Sequence, residues 1–181
     1  MKITFKVFFL FLFCLAAIKS NAEDTDKNVA FNVVTSLNGL ELRIAQLGFS
    51  GEIPTKTYQT AQNYFKLDDN MFQFVIVSKQ EFLNDEGGNH LLQYKKWEQA
   101  HHIKLTNNNA QFQNVVECKN KEFKTISWEM KTPKITRYNS ISTVIDLDRF
   151  VLNIVYFFSN EDEKNKSHKK IQFFCNSMKR I

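Results

Sequence analysis

Residues 150–158 read Phe-Val-Leu-Asn-Ile-Val-Tyr-Phe-Phe, a stretch with apolar or aromatic side chains on both alternating faces. A strand that faced water on one side would alternate apolar with polar, so this one belongs at the centre of a sheet covered on both sides. Three further strand-like segments run into it, at residues 111–118, 122–131 and 135–146. Short polar turns at 119–121, 132–134 and 147–149 separate them, which predicts an antiparallel meander. Beyond the central strand, Ser159-x-x-Asp162 resembles a capping box, with Asp162 and Glu163 in a favourable first turn. Ile171, Phe174, Cys175 and Met178 then recur at helical spacing and predict a closing helix with Cys175 turned to the core.

Upstream of the meander, residues 91–105 predict a second helix. Leu91, Tyr94, Trp97, His101 and Leu105 share one face, Lys95, Gln99 and His102 lie on the polar side, and Asn107-Asn108-Asn109 ends the helix. Residues 84–89 are a break before it. Two hairpins precede that break. Residues 31–37 alternate, Asn38-Gly39 supplies a two-residue turn, and residues 40–45 return with Leu40, Leu42 and Ile44 on one face. Residues 48–54 read as a loop. Residues 64–67 then enter Asp68-Asp69-Asn70, a turn-forming cluster, and residues 71–78 leave it as a strand. The order predicts an α+β fold, a single antiparallel sheet of about six to eight strands with a central and a C-terminal helix packed on it.

The early YFKLDDNMFQFVIV hairpin, the central helix, the meander ending DRFVLNIVYFF and the closing helix IQFFCNSMKRI together resemble the PsbP-like group of small α/β/α sandwich proteins. The resemblance spans most of residues 23–181 as an order of elements, and the cysteines are not a mark of the group. It implies a sandwich fold. It does not choose among the electron-transport accessories, periplasmic lipoproteins and partner-binding modules that share the fold.

The chain has 181 residues, a net charge of +5, three Cys and 18 Phe, but only 5 Gly and 2 Pro. Residues 1–22 read as a secretory signal peptide. Lys2 and Lys6 open it, residues 7–17 form an apolar run shorter than the ~20 residues a membrane span needs, and Ser20-Asn21-Ala22 predicts cleavage after Ala22. The alternative of an uncleaved anchor is weakened by Lys19 and the acidic stretch that follows. A lipid-anchoring signal is disfavoured by Phe-Leu-Phe before Cys14. The expected mature chain is residues 23–181, one domain, with 23–28 polar and frayed. Removing Lys2, Lys6 and Lys19 lowers the net charge from +5 to +2, which argues against a nucleic-acid partner. The protein is thus expected to be secreted or periplasmic, with no membrane span in the mature chain.

Two cysteines remain, Cys118 and Cys175, in a compartment that oxidises thiols. They can form only one intramolecular bond. Closing a loop of about 58 residues restricts the unfolded chain by about 4 kcal/mol. Alternation on 111–118 puts Phe112, Val116 and Cys118 on one face. Buried free thiols are the alternative.

The candidate chemistry is sparse. His90, His101, His102 and His168 show neither H-x-x-x-H nor H-E-x-x-H spacing; Glu98 and His102 at i, i+4 read as a solvated pair, and no metal site is expected. There is no G-x-S-x-G and no glycine-rich phosphate loop, so no cofactor is expected. The carboxylate pairs Asp68-Asp69 and Asp146/Asp148 sit in turns. The run Lys164–Lys170 follows Glu161-Asp162-Glu163 and reads as a solvated helix face. Asn165-Lys166-Ser167 is a glycosylation sequon. Tyr94, Trp97 and Phe173 are the candidate interface aromatics. The expected function is therefore non-enzymatic binding of another protein, of inhibitor or toxin-immunity type. The rivals are a carrier of lipid or another apolar ligand and an unrecognised hydrolase.

Overall fold

A computed structural model describes residues 32–36, 39–61, 64–83, 88–116, 118–133 and 139–181. The expected signal peptide, its expected cleavage point after Ala22, the polar stretch expected to begin the mature chain and Asn38 lie outside these. The elements run β1 (Asn32–Ser36), β2 (Gly39–Ile44), a 3-10 turn (Ala45–Leu47), β3 (Phe49–Pro54), β4 (Tyr58–Ala61), β5 (Tyr64–Leu67) and β6 (Asn70–Ser78). A second 3-10 turn (Lys79–Glu81) and α1 (His90–Leu105) follow. The chain then forms β7 (Gln111–Val115), β8 (Thr125–Lys131), β9 (Asn139–Leu147), β10 (Phe150–Phe158), α2 (Glu161–Ser177) and β11 (Lys179–Arg180).

The doubly apolar segment is β10, the middle strand of a seven-stranded sheet ordered β4-β5-β6-β10-β9-β8-β7. Every pairing in that sheet is antiparallel. Val151, Asn153 and Val155 of β10 pair with Asp146, Val144 and Ser142 of β9, and this face carries α1. Leu152, Ile154, Tyr156 and Phe158 point the other way, into the main core, with Phe72, Phe74, Ile141 and Ile145. Ile171, Phe174 and Cys175 of α2 close that core, as their helical spacing predicts, together with Met178 directly after the helix. Burying a side chain of this size is worth about 1.5–3 kcal/mol, so the two layers on β10 hold the sandwich together.

The sheet is not single. β1, β2, β3 and β11 form a separate four-stranded sheet in the order β1-β2-β3-β11. The reason lies in residues 48–54, which read as a loop because of Gly48, Gly51 and Pro54 yet form β3. Gly48 takes a left-handed turn at φ 65° just before the strand. At Gly51 the strand passes so close to the Phe174 ring that a Cβ would lie 2.5 Å from it. Pro54 ends the strand beyond β11, which pairs only with Phe49 and Ser50, so β3 is an edge there and a missing N–H is tolerated. β3 thus claims β2, aligning Leu40 with Ile53, Leu42 with Gly51 and Ile44 with Phe49. The inward faces of this small sheet join the same core as α2.

Three local expectations shift. β4 was not anticipated, because its four residues are all exposed and carry no alternation. The helix α2 is capped one residue later than Ser159: Asn160 Oδ1 accepts the Glu163 N–H at 2.9 Å, and the Glu163 carboxylate accepts the Ser159 N–H at 2.7 Å. β7 ends at Val115, so Phe112, Val116 and Cys118 do not share a face. Phe112 packs on the α1 side, Val116 is 72% exposed, and Cys118 enters the opposite core. The Cys118–Cys175 disulfide is formed, with Cα atoms 5.7 Å apart, inside the range such a bond allows.

Candidate functional site

Two places concentrate chemistry. One is buried under α1. Asn153 is the polar residue in the middle of β10, and it faces α1 between Val151 and Val155. A buried amide must find partners, or lose roughly 1–3 kcal/mol. Asn153 Nδ2 donates to both Glu98 carboxylate oxygens at 3.0 Å and to the Tyr94 hydroxyl at 3.1 Å. This requirement overrides the apolar stripe read for the helix. Its buried residues are Leu91, Tyr94, Glu98 and His102, and Trp97 is half-buried. The Glu98–His102 pair is therefore not solvated: Glu98 is 5% and His102 7% exposed, with 3.6 Å between His102 Nε2 and Glu98 Oε1. Burial, reinforced by the Glu98 charge, pushes the Tyr94 hydroxyl well above its ordinary value and keeps it protonated. Burial, then the neighbouring His102, holds His101 below its usual value. The cluster joins helix to sheet; among the described residues, no group of three or more His, Cys, Asp or Glu converges on a metal position.

The other place is open. Where the β9–β10 turn, the first 3-10 turn, the loop before β8 and β11 converge, a cleft of about 130 Å³ faces outward. Its floor is Leu47, Phe49, Phe123, Leu147 and Phe150. Two arginines and an acid form its rim. The Arg180 guanidinium lies 5.7 Å from the Phe123 ring centre and donates to both Asp148 carboxylate oxygens, at 3.1 and 3.2 Å. That bond, then the Arg180 charge, holds the Asp148 carboxyl below its ordinary value. Arg149 lies 5.9 Å over Phe150. β11 is fixed in the wall by pairing of Arg180 with Phe49 and by the Ile181 N–H donating to the Gly48 carbonyl at 2.9 Å. The loop bearing Phe123 is tied at its start by the disulfide. It is shaped by Asn120, whose Oδ1 accepts the Glu122 and Phe123 N–H groups at 2.7 and 3.1 Å.

The residues singled out from sequence fall elsewhere. Tyr94 is 2% exposed and packs its ring 5.1 Å from Phe82 and 5.7 Å from Trp97, so Tyr94 and Trp97 serve the core under α1. Phe173 is 39% exposed on α2, on the other side of the sheet. Asp68 does not act with Asp69. It accepts the Lys56 and Thr57 N–H groups and the Lys170 ammonium at 2.9, 3.1 and 2.6 Å. Asp146 is paired with Lys79 at 2.5 Å while Asp148 turns to Arg180, so that pair does not converge either. The basic run on α2 is partly internal: Lys164 meets the buried Glu129 at 3.0 Å, and Lys170 meets Asp68. Asn165 is exposed on α2, but Ser167 of its sequon is fully buried. Sequence reasoning missed Arg149 and Arg180; the only hint was an arginine directly after a turn aspartate.

A central antiparallel sheet with α1 on one face and α2 on the other defines the α/β/α sandwich class. The fold is PsbP-like: the chain is similar to the solution structure of cyanobacterial PsbP from Synechocystis sp. PCC 6803, with a TM-score of 0.51 over 88% of this chain and 98% of that one. Identity is 8%, so the likeness is one of fold. No family model and no curated protein sequence matches the chain. No helix among the described residues is long and apolar enough to cross a membrane.

Proposed function

We propose that the chain is an exported binding module that recognises another protein, of the inhibitor or immunity type, and that the rim cleft receives a side chain of the partner. The observation that carries this reading is the size and lining of the cleft. Sites for whole small molecules enclose roughly 300–1,000 Å³, whereas a cavity of about 150 Å³ accepts a benzene ring. A volume of about 130 Å³ therefore suits one aromatic or branched side chain better than a lipid. Arginines set on aromatic rings beside an apolar floor are the composition of an interface anchor point. Export is supported by the N-terminal 22 residues and by a disulfide of the kind that persists in oxidising compartments.

The test is site-specific photocrosslinking in the native source. A benzophenone amino acid replaces Gln46 at the cleft, or Lys169 on the exposed side of α2 as the control. A discrete protein adduct from position 46, absent from position 169 and lost when Phe123→Glu fills the cleft with charge, is expected. No adduct from position 46, or the same adduct from both positions, overturns the reading.

A further inference from the structure

Resting on the reading of the cleft as a docking site, we infer that its occupant presents a carboxylate beside the apolar side chain, and that Arg149 receives it. The charged side chains that line the cleft are unequal in number. Its lining holds two guanidinium groups, Arg149 and Arg180, against one carboxylate, Asp148. Arg180 takes both oxygens of that carboxylate. Lys79, whose charge also reaches Asp148, is committed to Asp146 at 2.5 Å. Glu122 also acts on Arg180, from the loop side. Arg149 is left exposed, with no carboxylate partner among the described residues.

Its placement is also fixed. The Arg149 carbonyl accepts the Lys79 N–H at 3.0 Å, which anchors the backbone of the turn, and the guanidinium lies over the Phe150 ring. A planar fork held on an aromatic face keeps its N–H donors for a planar bidentate acceptor, and a carboxylate is that acceptor. Since the same cleft is floored by Phe49, Phe123, Leu147 and Phe150, one ligand can set a ring on the floor and an acid on Arg149. The chemistry is shared by two sources: a chain ending in Phe or Leu, and an internal Asp-Phe or Glu-Leu pair.

The oxidised mature protein, labelled with ¹⁵N, is titrated in three parallel series with N-acetyl-L-phenylalanine, its carboxamide, and N-acetyl-Asp-Phe-amide. Amide shifts are expected at Leu47, Phe123, Arg149 and Phe150, with Kd on the order of 1 mM for so small a probe. An acid at an exposed arginine should bind about three- to fivefold tighter than its carboxamide. Arg149→Gln should abolish that difference while the carboxamide still binds. A chain-end source predicts that the free acid gains most; an internal source predicts that the Asp-Phe probe does. Equal binding of all three probes, or a preference for either acid over the carboxamide that survives Arg149→Gln, overturns the carboxylate inference and leaves the cleft as an apolar docking site. No shifts at the cleft with any probe overturn both.

Discussion

Replacing Asn153 by Leu isolates the energetics of the cluster under α1. The substitution keeps side-chain volume roughly constant but removes the donor that meets both Glu98 oxygens at 3.0 Å. A carboxylate that is 5% exposed then keeps only the Tyr94 hydroxyl and His102, 3.6 Å away, as polar neighbours. Hydrogen bonds to charged groups contribute about 1.5–3 kcal/mol, and stranding a buried charge costs at least as much, so Asn153→Leu should destabilise by about 3 kcal/mol. For a domain of this length that is about 6–12 °C in Tm. Glu98→Leu alone leaves the Asn153 amide with only the Tyr94 hydroxyl to donate to and should cost about 2 kcal/mol. The double variant replaces both partners with apolar groups, strands no charge and leaves only the Tyr94 hydroxyl and His102 without them, so it should cost clearly less than the sum of the singles. Urea unfolding of all four proteins, followed by the fluorescence of Trp97 and Trp128, closes the cycle. If Asn153→Leu costs less than about 0.5 kcal/mol, or the double variant costs the sum of the singles, the cluster does not hold the helix to the sheet.

Three further outcomes are expected. Cys118→Ser with Cys175→Ser should lower stability by about 4 kcal/mol in a urea titration, and two reactive thiols in the denatured, unreduced parent would show that the bond is not made. Gly51→Ala should cost about 1–3 kcal/mol because the new methyl meets the Phe174 ring, and adding Phe174→Leu should recover part of it. At Asp68, burial alone would raise the carboxyl, but the Lys170 ammonium and the Lys56 and Thr57 N–H groups outweigh it and hold the group well below the carboxylate range. A depressed folded value contributes stability above the unfolded pKa of about 4 and loses it as pH falls toward the folded value. Asp68→Asn should therefore be less stable than the parent at pH 7, with the gap narrowing below about pH 4 in thermal melts; a constant gap would exclude the ionic contribution.

The elements that could be read from the chain are those whose pattern reports on their own burial. β10 shows apolar residues on both faces, and the β5–β6 hairpin has its Asp68-Asp69-Asn70 turn. The α2 stripe through Cys175 likewise reports its side of the core. What escaped depended on partners remote in sequence. Gly51 looks like a loop residue until Phe174 is seen to occupy the space of its missing side chain. Glu98 and His102 look solvated until Asn153, some 50 residues on, is seen to need an acceptor beneath the helix. Apolar periodicity is blind to such a pair, since it scores every carboxylate as outward-facing. The cleft was illegible for the same reason. Phe49, Phe123 and Arg149 come from three separate turns and strands, and Arg180 from a two-residue strand too short to carry a pattern.

The disulfide has a consequence for binding entropy. Five residues after Cys118 comes Phe123, and five after Cys175 comes Arg180, whose guanidinium rests on the Phe123 ring. The covalent bond thus joins the roots of two facing walls, one a loop and the other the tail of a helix. Neither can drift from the other without breaking it, so the mouth is set when the protein is oxidised rather than when a partner arrives. The ordering that a loop-built recognition site would otherwise undergo on docking, about 0.5–1.5 kcal/mol for each immobilised side chain, is completed when the protein folds and the bond forms. A small cleft preformed in this way can hold a single side chain with little further loss of freedom.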